Sequence, residues 1–104
     1  MVKKYIWENI IIKIGQSASE NWSLISDAKQ NYIWLHLDNV SSPHVIIEHS
    51  DPPKKCINYA ARLCVEHSKY NKGTVIVAMV KNITKGEEIG SVYVKKKLYT
   101  IKIT

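Results

Sequence analysis

Phenylalanine is absent from this chain, arginine occurs once, at Arg62, and there are only two cysteines, three prolines and four glycines. Each scarcity removes a class of protein. Gly15, Gly73, Gly86 and Gly90 stand singly, so no glycine-rich loop is available to cradle the phosphates of a nucleotide cofactor. Cys56 and Cys64 fall inside one predicted helix. At ~1.5 Å rise per residue their Cα atoms are about 12 Å apart, beyond the roughly 7 Å that a disulfide tolerates. Two free thiols suit a reducing compartment. No apolar run approaches the ~18 residues of a membrane span, and Met1-Val2-Lys3-Lys4 does not open the apolar stretch of a secretory signal. The expected location is the cytoplasm, away from membranes. No serine sits in a nucleophile elbow, and the acids are dispersed. Glu87-Glu88 beside Lys85 reads as a solvated turn. The expectation is a non-catalytic protein without a cofactor.

What is present is charge of one sign in one place. The 104 residues suit a single domain over 1–104, and 45% hydrophobic with 23% charged residues is ordinary for a globular protein. The net charge is +6. Residues 1–50 carry four lysines against five acids, while residues 51–104 carry eleven basic residues against four acids. A lopsided basic surface attracts polyanions through counterion release and steering. Lysine grips phosphate as a point charge, whereas arginine supplies the fork that reads guanine edges. The composition therefore favours backbone binding over base reading. AT-biased coding also replaces Arg by Lys and matches the abundance of Ile and Asn, but it leaves the asymmetry between the halves unexplained.

Residues 3–7 and 9–14 read as strands about a Glu8-Asn9 turn, with Ile10, Ile12 and Ile14 alternating onto one face. Ser17 and Glu20 form a capping box ahead of a short helix over roughly 18–28. Residues 31–37 and 43–49 are strands around a polar loop. Asp51-Pro52-Pro53 starts a helix running to about Tyr70, with a stripe of small side chains at Ile57, Ala60, Ala61 and Cys64. Residues 74–80 are a buried strand. Residues 90–94 and 98–103 read as a terminal hairpin across Lys95-Lys96-Lys97, with Tyr99, Ile101 and Ile103 facing inward. The expected class is α+β: one compact domain, a mostly antiparallel sheet of about six or seven short strands, and two helices.

Histidine is the residue type that carries chemistry here. If the strands at 31–37 and 43–49 pair, His36 and His44 meet on one face. A zinc site or acid–base catalysis would need further ligands at tight spacing, and none exists. The preferred role is a polar pair shaping the intervening loop. Trp34 on that face is a base-stacking platform if exposed and core if buried; tryptophan in a short strand is more often core. Lys54 and Lys55 at a helix start, Lys81, and the triplet Lys95, Lys96 and Lys97 are candidate phosphate contacts.

The order of these features resembles the NFACT-R domain of ribosome quality-control proteins and their small coiled-coil relatives. The runs that carry the resemblance are Ile14-Gly15 with Glu20-Asn21, Ile33-Trp34-Leu35-His36, Ser41-Ser42-Pro43-His44-Val45, Ala60-Ala61 to Ser68-Lys69, Val80-Lys81, and Gly86 to Gly90 with the last strand. They span about residues 9 to 103. The specific part is W-x-H followed by S-x-H-V. Tyr32 stands where the family usually has an acid, and the connection after Tyr70 looks shortened. The family's other domains are missing, as in a standalone version. The resemblance implies RNA binding in the setting of tRNA and the large ribosomal subunit, and that tailing activity needs parts not in this chain. It places Trp34, His36, Ser42 and His44 at the family's motif positions and so among the expected RNA-binding residues, with the His36/Ser42/His44 loop supplying polar contacts.

The reading is thus an RNA-binding module whose partner is tRNA or rRNA, with the ribosome as setting and DNA as a lesser candidate. The alternative is a protein-interaction module docking on a ribosome or a quality-control factor through an apolar patch near Trp7 or Tyr93. A small metal-dependent enzyme using His36 and His44 is the third.

Overall fold

A computed structural model describes residues 2–104. Eight strands and two helices follow one another: β1 (Lys3–Trp7), β2 (Ile10–Ile14), α1 (Ala18–Asp27), β3 (Ile33–Leu37), β4 (Val45–Ile47), α2 (Lys54–Glu66), β5 (Gly73–Met79), β6 (Ile83–Lys85), β7 (Val92–Val94) and β8 (Tyr99–Ile103). Six strands form an antiparallel sheet in the order β1-β2-β4-β3-β5-β8, and β6 pairs with β7 in a separate small sheet. The α+β class holds. Glu8 and Asn9 close the β1–β2 hairpin with φ of 42° and 73°, the two left-handed residues that match the twist of paired strands.

The alternation read from the sequence sorts side chains onto two faces. Ile12, Ile14, Leu35, Leu37, Val45, Ile47, Val75 and Val77 are buried on the face covered by α2. Cys56, Ala60, Ala61 and Cys64 let that helix sit close, and all four are fully buried. The opposite face carries Trp34, Ile46 and Ala78, and is covered by Leu24 of α1 and Ile83, the first residue of β6. The sheet is therefore the middle of three layers.

Three expectations need correction. The terminal segments do not pair as a hairpin: β7 pairs with β6, and β8 pairs with β5. Residues Ile83–Lys85, which end at the lysine read as part of a turn, supply the missing partner. The second helix stops at Glu66 rather than Tyr70, because the side chains of the next two residues take up its last carbonyls. His67 Nδ1–H donates to the Leu63 carbonyl at 2.9 Å and the Ser68 hydroxyl donates to that of Val65 at 2.6 Å. Trp7 packs against the core instead of lying free.

Candidate nucleic-acid interface

The pairing of β3 with β4 brings the two histidines together as the alternation requires. Their ring centroids are 4.9 Å apart, nearly perpendicular. Trp34 lies parallel to His36 at 5.5 Å, with an interplanar angle of 3°. It is 1% exposed, which excludes a role as a base-stacking platform. Its Nε1–H donates to Nδ1 of His44 at 3.1 Å. That bond requires a bare Nδ1 and so fixes the neutral, Nε2-protonated tautomer. His44 is 2% exposed. Burial, reinforced by the neighbouring His36 and opposed by the Gly90 carbonyl, lowers its pKa to about 3. His36 is also pushed down by burial, against the pull of the Leu37 carbonyl and Asp38. Its Nδ1–H donates to the Leu37 carbonyl at 2.5 Å.

The loop between β3 and β4 is closed from within. The Ser42 hydroxyl accepts the Leu37 N–H and donates to the Pro43 carbonyl, each at 3.0 Å. Cys64 Sγ sits beneath it, 3.8 Å from the Ser42 hydroxyl. Burial pushes its thiol up to about 11, so it is inert as a nucleophile. Asn21 of α1 accepts the His44 N–H at 3.1 Å, and Gly15 N–H donates to the His44 carbonyl at 3.0 Å. A Cβ at Gly15 would lie 2.3 Å from Asn21 Oδ1, so only glycine lets the helix and the loop meet. With three of the four imidazole nitrogens of His36 and His44 so committed, the pair cannot close around a metal ion. Among the described residues no group of three or more His, Cys, Asp or Glu is placed to hold one.

Around this loop lies an open groove of about 850 Å³, bounded by the start of α1, the end of α2 and the 86–91 loop. That last loop folds over α1. Trp22 Nε1–H donates to the Ser91 carbonyl at 2.8 Å, and Lys85 donates to the Ser26 hydroxyl. Gly90 adopts φ +90°, where an added Cβ would lie 2.8 Å from that of Ala18.

The candidate lysines are elsewhere. Lys54 stands over the Tyr99 ring at 5.9 Å, Lys81 N–H donates to the Gln30 carbonyl and Lys95 N–H to that of Asn82. All belong to the end of the sheet where Ile33 faces Met79. The groove belongs to the other end, past Leu37. The thirteen residues of α2 separate the two by roughly 18 Å. Lys54, Lys55, Lys81, Lys95, Lys96 and Lys97 are all exposed, and among the described residues no carboxylate lies within ion-pair reach of any of them; Lys13, by contrast, pairs with Glu48 at 2.9 Å. The structure thus divides the sequence-based set into a lysine end and a loop end. Of the loop residues, Trp34 and His44 are buried, while Ser42 and His36 are half-buried; the Ser42 hydroxyl is spent on its own loop.

Residues 3–96 match the NFACT protein RNA-binding domain family, nearly the full length of the chain. The chain belongs to the NFACT RNA-binding domain family. Its fold is shared by a solved structure, the C-terminal of the fibronectin/fibrinogen-binding protein from Streptococcus suis, with a TM-score of 0.90 and 25% identity over 99% of this chain and 45% of that one. This NFACT RNA-binding domain therefore spans less than half of that solved chain. No curated protein matches. The family is a general RNA-binding module rather than a catalytic one. Sequence reasoning missed Asn21, Trp22, Lys85 and Lys69 as parts of the domain's groove end. Glu20-Asn21 and Ser68-Lys69 stand in the family-like runs, but nothing local marks their contacts.

Proposed function

We propose that this domain is a non-catalytic, cytoplasmic module that binds tRNA or ribosome-associated RNA by its phosphate backbone. The observation that supports it most is the lysine end: six exposed ammonium groups, none paired with a carboxylate among the described residues. Unpaired lysines on a rigid framework attract phosphates without reading bases. Asp51 lies at the rim of this surface beside Lys54, a small offset to its charge.

The test is fluorescence anisotropy with tRNA, single-stranded RNA and a DNA duplex at low and physiological salt. Preference for tRNA that persists at physiological salt is expected. Reversing Lys95, Lys96 and Lys97 to glutamate should weaken binding to all sequences alike. It should also flatten the log K against log salt slope by about 2–3, near 0.7–0.9 for each phosphate no longer neutralised. Equal binding to all three polymers, or wild-type affinity in the triple variant, would refute the assignment. A protein-docking reading has one observation in its favour: Ile89 and Tyr93, four residues apart, are 63% and 60% exposed. Binding to a protein partner that ignores salt and nuclease would favour it.

A further inference from the structure

The groove at the loop end is a polar concavity built around one fixed acceptor. Most of its hydroxyls are already engaged: Ser17 accepts the Glu20 N–H, Ser68 donates to Val65, and Ser91 donates to Glu88. His36 is different. Its ring is held against Trp34, edge-on to His44, with Nδ1–H on the Leu37 carbonyl. Among the described residues no hydrogen bond reaches its Nε2 and no buried side-chain nitrogen or oxygen lacks a partner, so Nε2 is not sealed from solvent, and the ring lines the groove. Burial disfavours its protonation, so it offers a lone pair at neutral pH. Lys69 lines the same groove from the end of α2, and the lining holds no carboxylate.

A ligand that suits both residues carries a hydrogen-bond donor for Nε2 and an anionic group for the Lys69 ammonium. A ribose with its adjoining phosphodiester has both; a deoxyribose within a DNA strand lacks the donor. The volume of about 850 Å³ is in the range of small-molecule sites and opens to solvent along one side, so the strand can enter and leave. We infer that the groove holds one unpaired ribonucleotide, its 2′-hydroxyl donating to Nε2 of His36 and its phosphate facing Lys69. This rests on the RNA-binding reading and adds to it a second contact point, roughly 18 Å from the lysine end along α2, that requires a single-stranded nucleotide and distinguishes RNA from DNA.

The experiment uses an RNA hairpin with a three-nucleotide single-stranded tail, the same hairpin with a 2′-deoxy tail, and a tailless hairpin, titrated by anisotropy. The full chain should bind the ribose tail about three- to tenfold more tightly than the deoxy tail, the range for one neutral hydrogen bond. His36→Phe keeps a flat ring against Trp34 but has no acceptor. It should bind both tails equally. Lys69→Ala, at an exposed position, should reduce the gain from the tail several-fold without touching the fold. Equal affinity of the parent for ribose and deoxy tails would overturn the inference, as would discrimination that survives in His36→Phe. Failure of all three hairpins to bind would overturn the RNA-binding reading with it, whereas tail-independent binding would overturn the groove alone.

Discussion

Acid should unfold this domain earlier than its carboxylates alone would dictate, because His44 is buried neutral and burial also lowers the pKa of the half-buried His36. His44 titrates at about 3 in the fold and near its ordinary 6.5 once unfolded. A base whose folded pKa is depressed contributes stability that is complete above the unfolded pKa and is lost as pH falls toward the folded one. Between those values the unfolded chain binds a proton that the folded chain refuses. Stability then falls by ~1.4 kcal/mol per pH unit, about 2.5 kcal/mol between pH 7.5 and 4.5 from His44 alone. His36 is shifted in the same direction and steepens the loss. Most carboxylates remain ionised down to roughly pH 4.5, so this window isolates the histidines. Urea unfolding at half-unit pH steps and constant ionic strength measures the slope, and the His44 Hε1 proton shift reads the titration in the folded state. His44→Gln, whose side-chain oxygen can still accept from Trp34, should be less stable at pH 7.5 but nearly flat in the contribution that His44 makes. A His44 ring that titrates near 6.5 in the folded protein, or a parent whose stability is level from pH 7.5 to 4.5, would refute the reasoning.

Three further outcomes follow from the same contacts. Trp34→Phe leaves Nδ1 of buried His44 without its donor and opens space in the core, and should cost about 2–4 kcal/mol in urea unfolding. Asn21→Ala removes the acceptor of the His44 N–H and should cost about 1–3 kcal/mol, with faster hydrogen exchange at the His44 amide than at Val45. Gly90→Ala forces a Cβ at φ +90° against Ala18; strain of ~1–2 kcal/mol should loosen the 86–91 loop, seen as lost exchange protection at the Ser91 amide while the β5 amides keep theirs.

Alternation and capping carry most of the framework. The period-two pattern at Ile10, Ile12 and Ile14 and at Ile33, Leu35 and Leu37 names the α2 face of the sheet, and Ser17 caps α1 at Glu20 N–H as the S-x-x-E spacing demands. The same pattern puts His36 and His44 together, since residues on one face of adjoining strands must meet. What cannot be read is which of several short segments pair with one another. Ile83-Thr84-Lys85 is too short to announce itself as a strand, so chain order joins β7 to β8, its neighbour in sequence, rather than to β6. For the same reason the lysines and the loop merge into one surface when read along the chain. Chain order does not say which end of a sheet a loop occupies, and only the antiparallel register of β3 with β5 sends Lys81 one way and Leu37 the other.

That separation changes how the motif residues must be probed. In W-x-H followed by S-x-H, Trp34 donates to His44, Ser42 bonds both sides of its own loop, and His44 is tied to Gly15 and Asn21. Trp34 and His44 are therefore buried in the groove's wall, and the half-buried Ser42 spends its hydroxyl on the loop itself. Substituting any of them must lower RNA binding and stability together, because the wall and the fold are one set of bonds. His36 has the same backing but a free edge, and Lys69 stands exposed at the groove's rim. A loss of affinity with an unchanged unfolding midpoint can arise only at side chains of that kind. Plotting the two quantities against each other across the groove separates the residues that touch RNA from those that shape the place where it is touched.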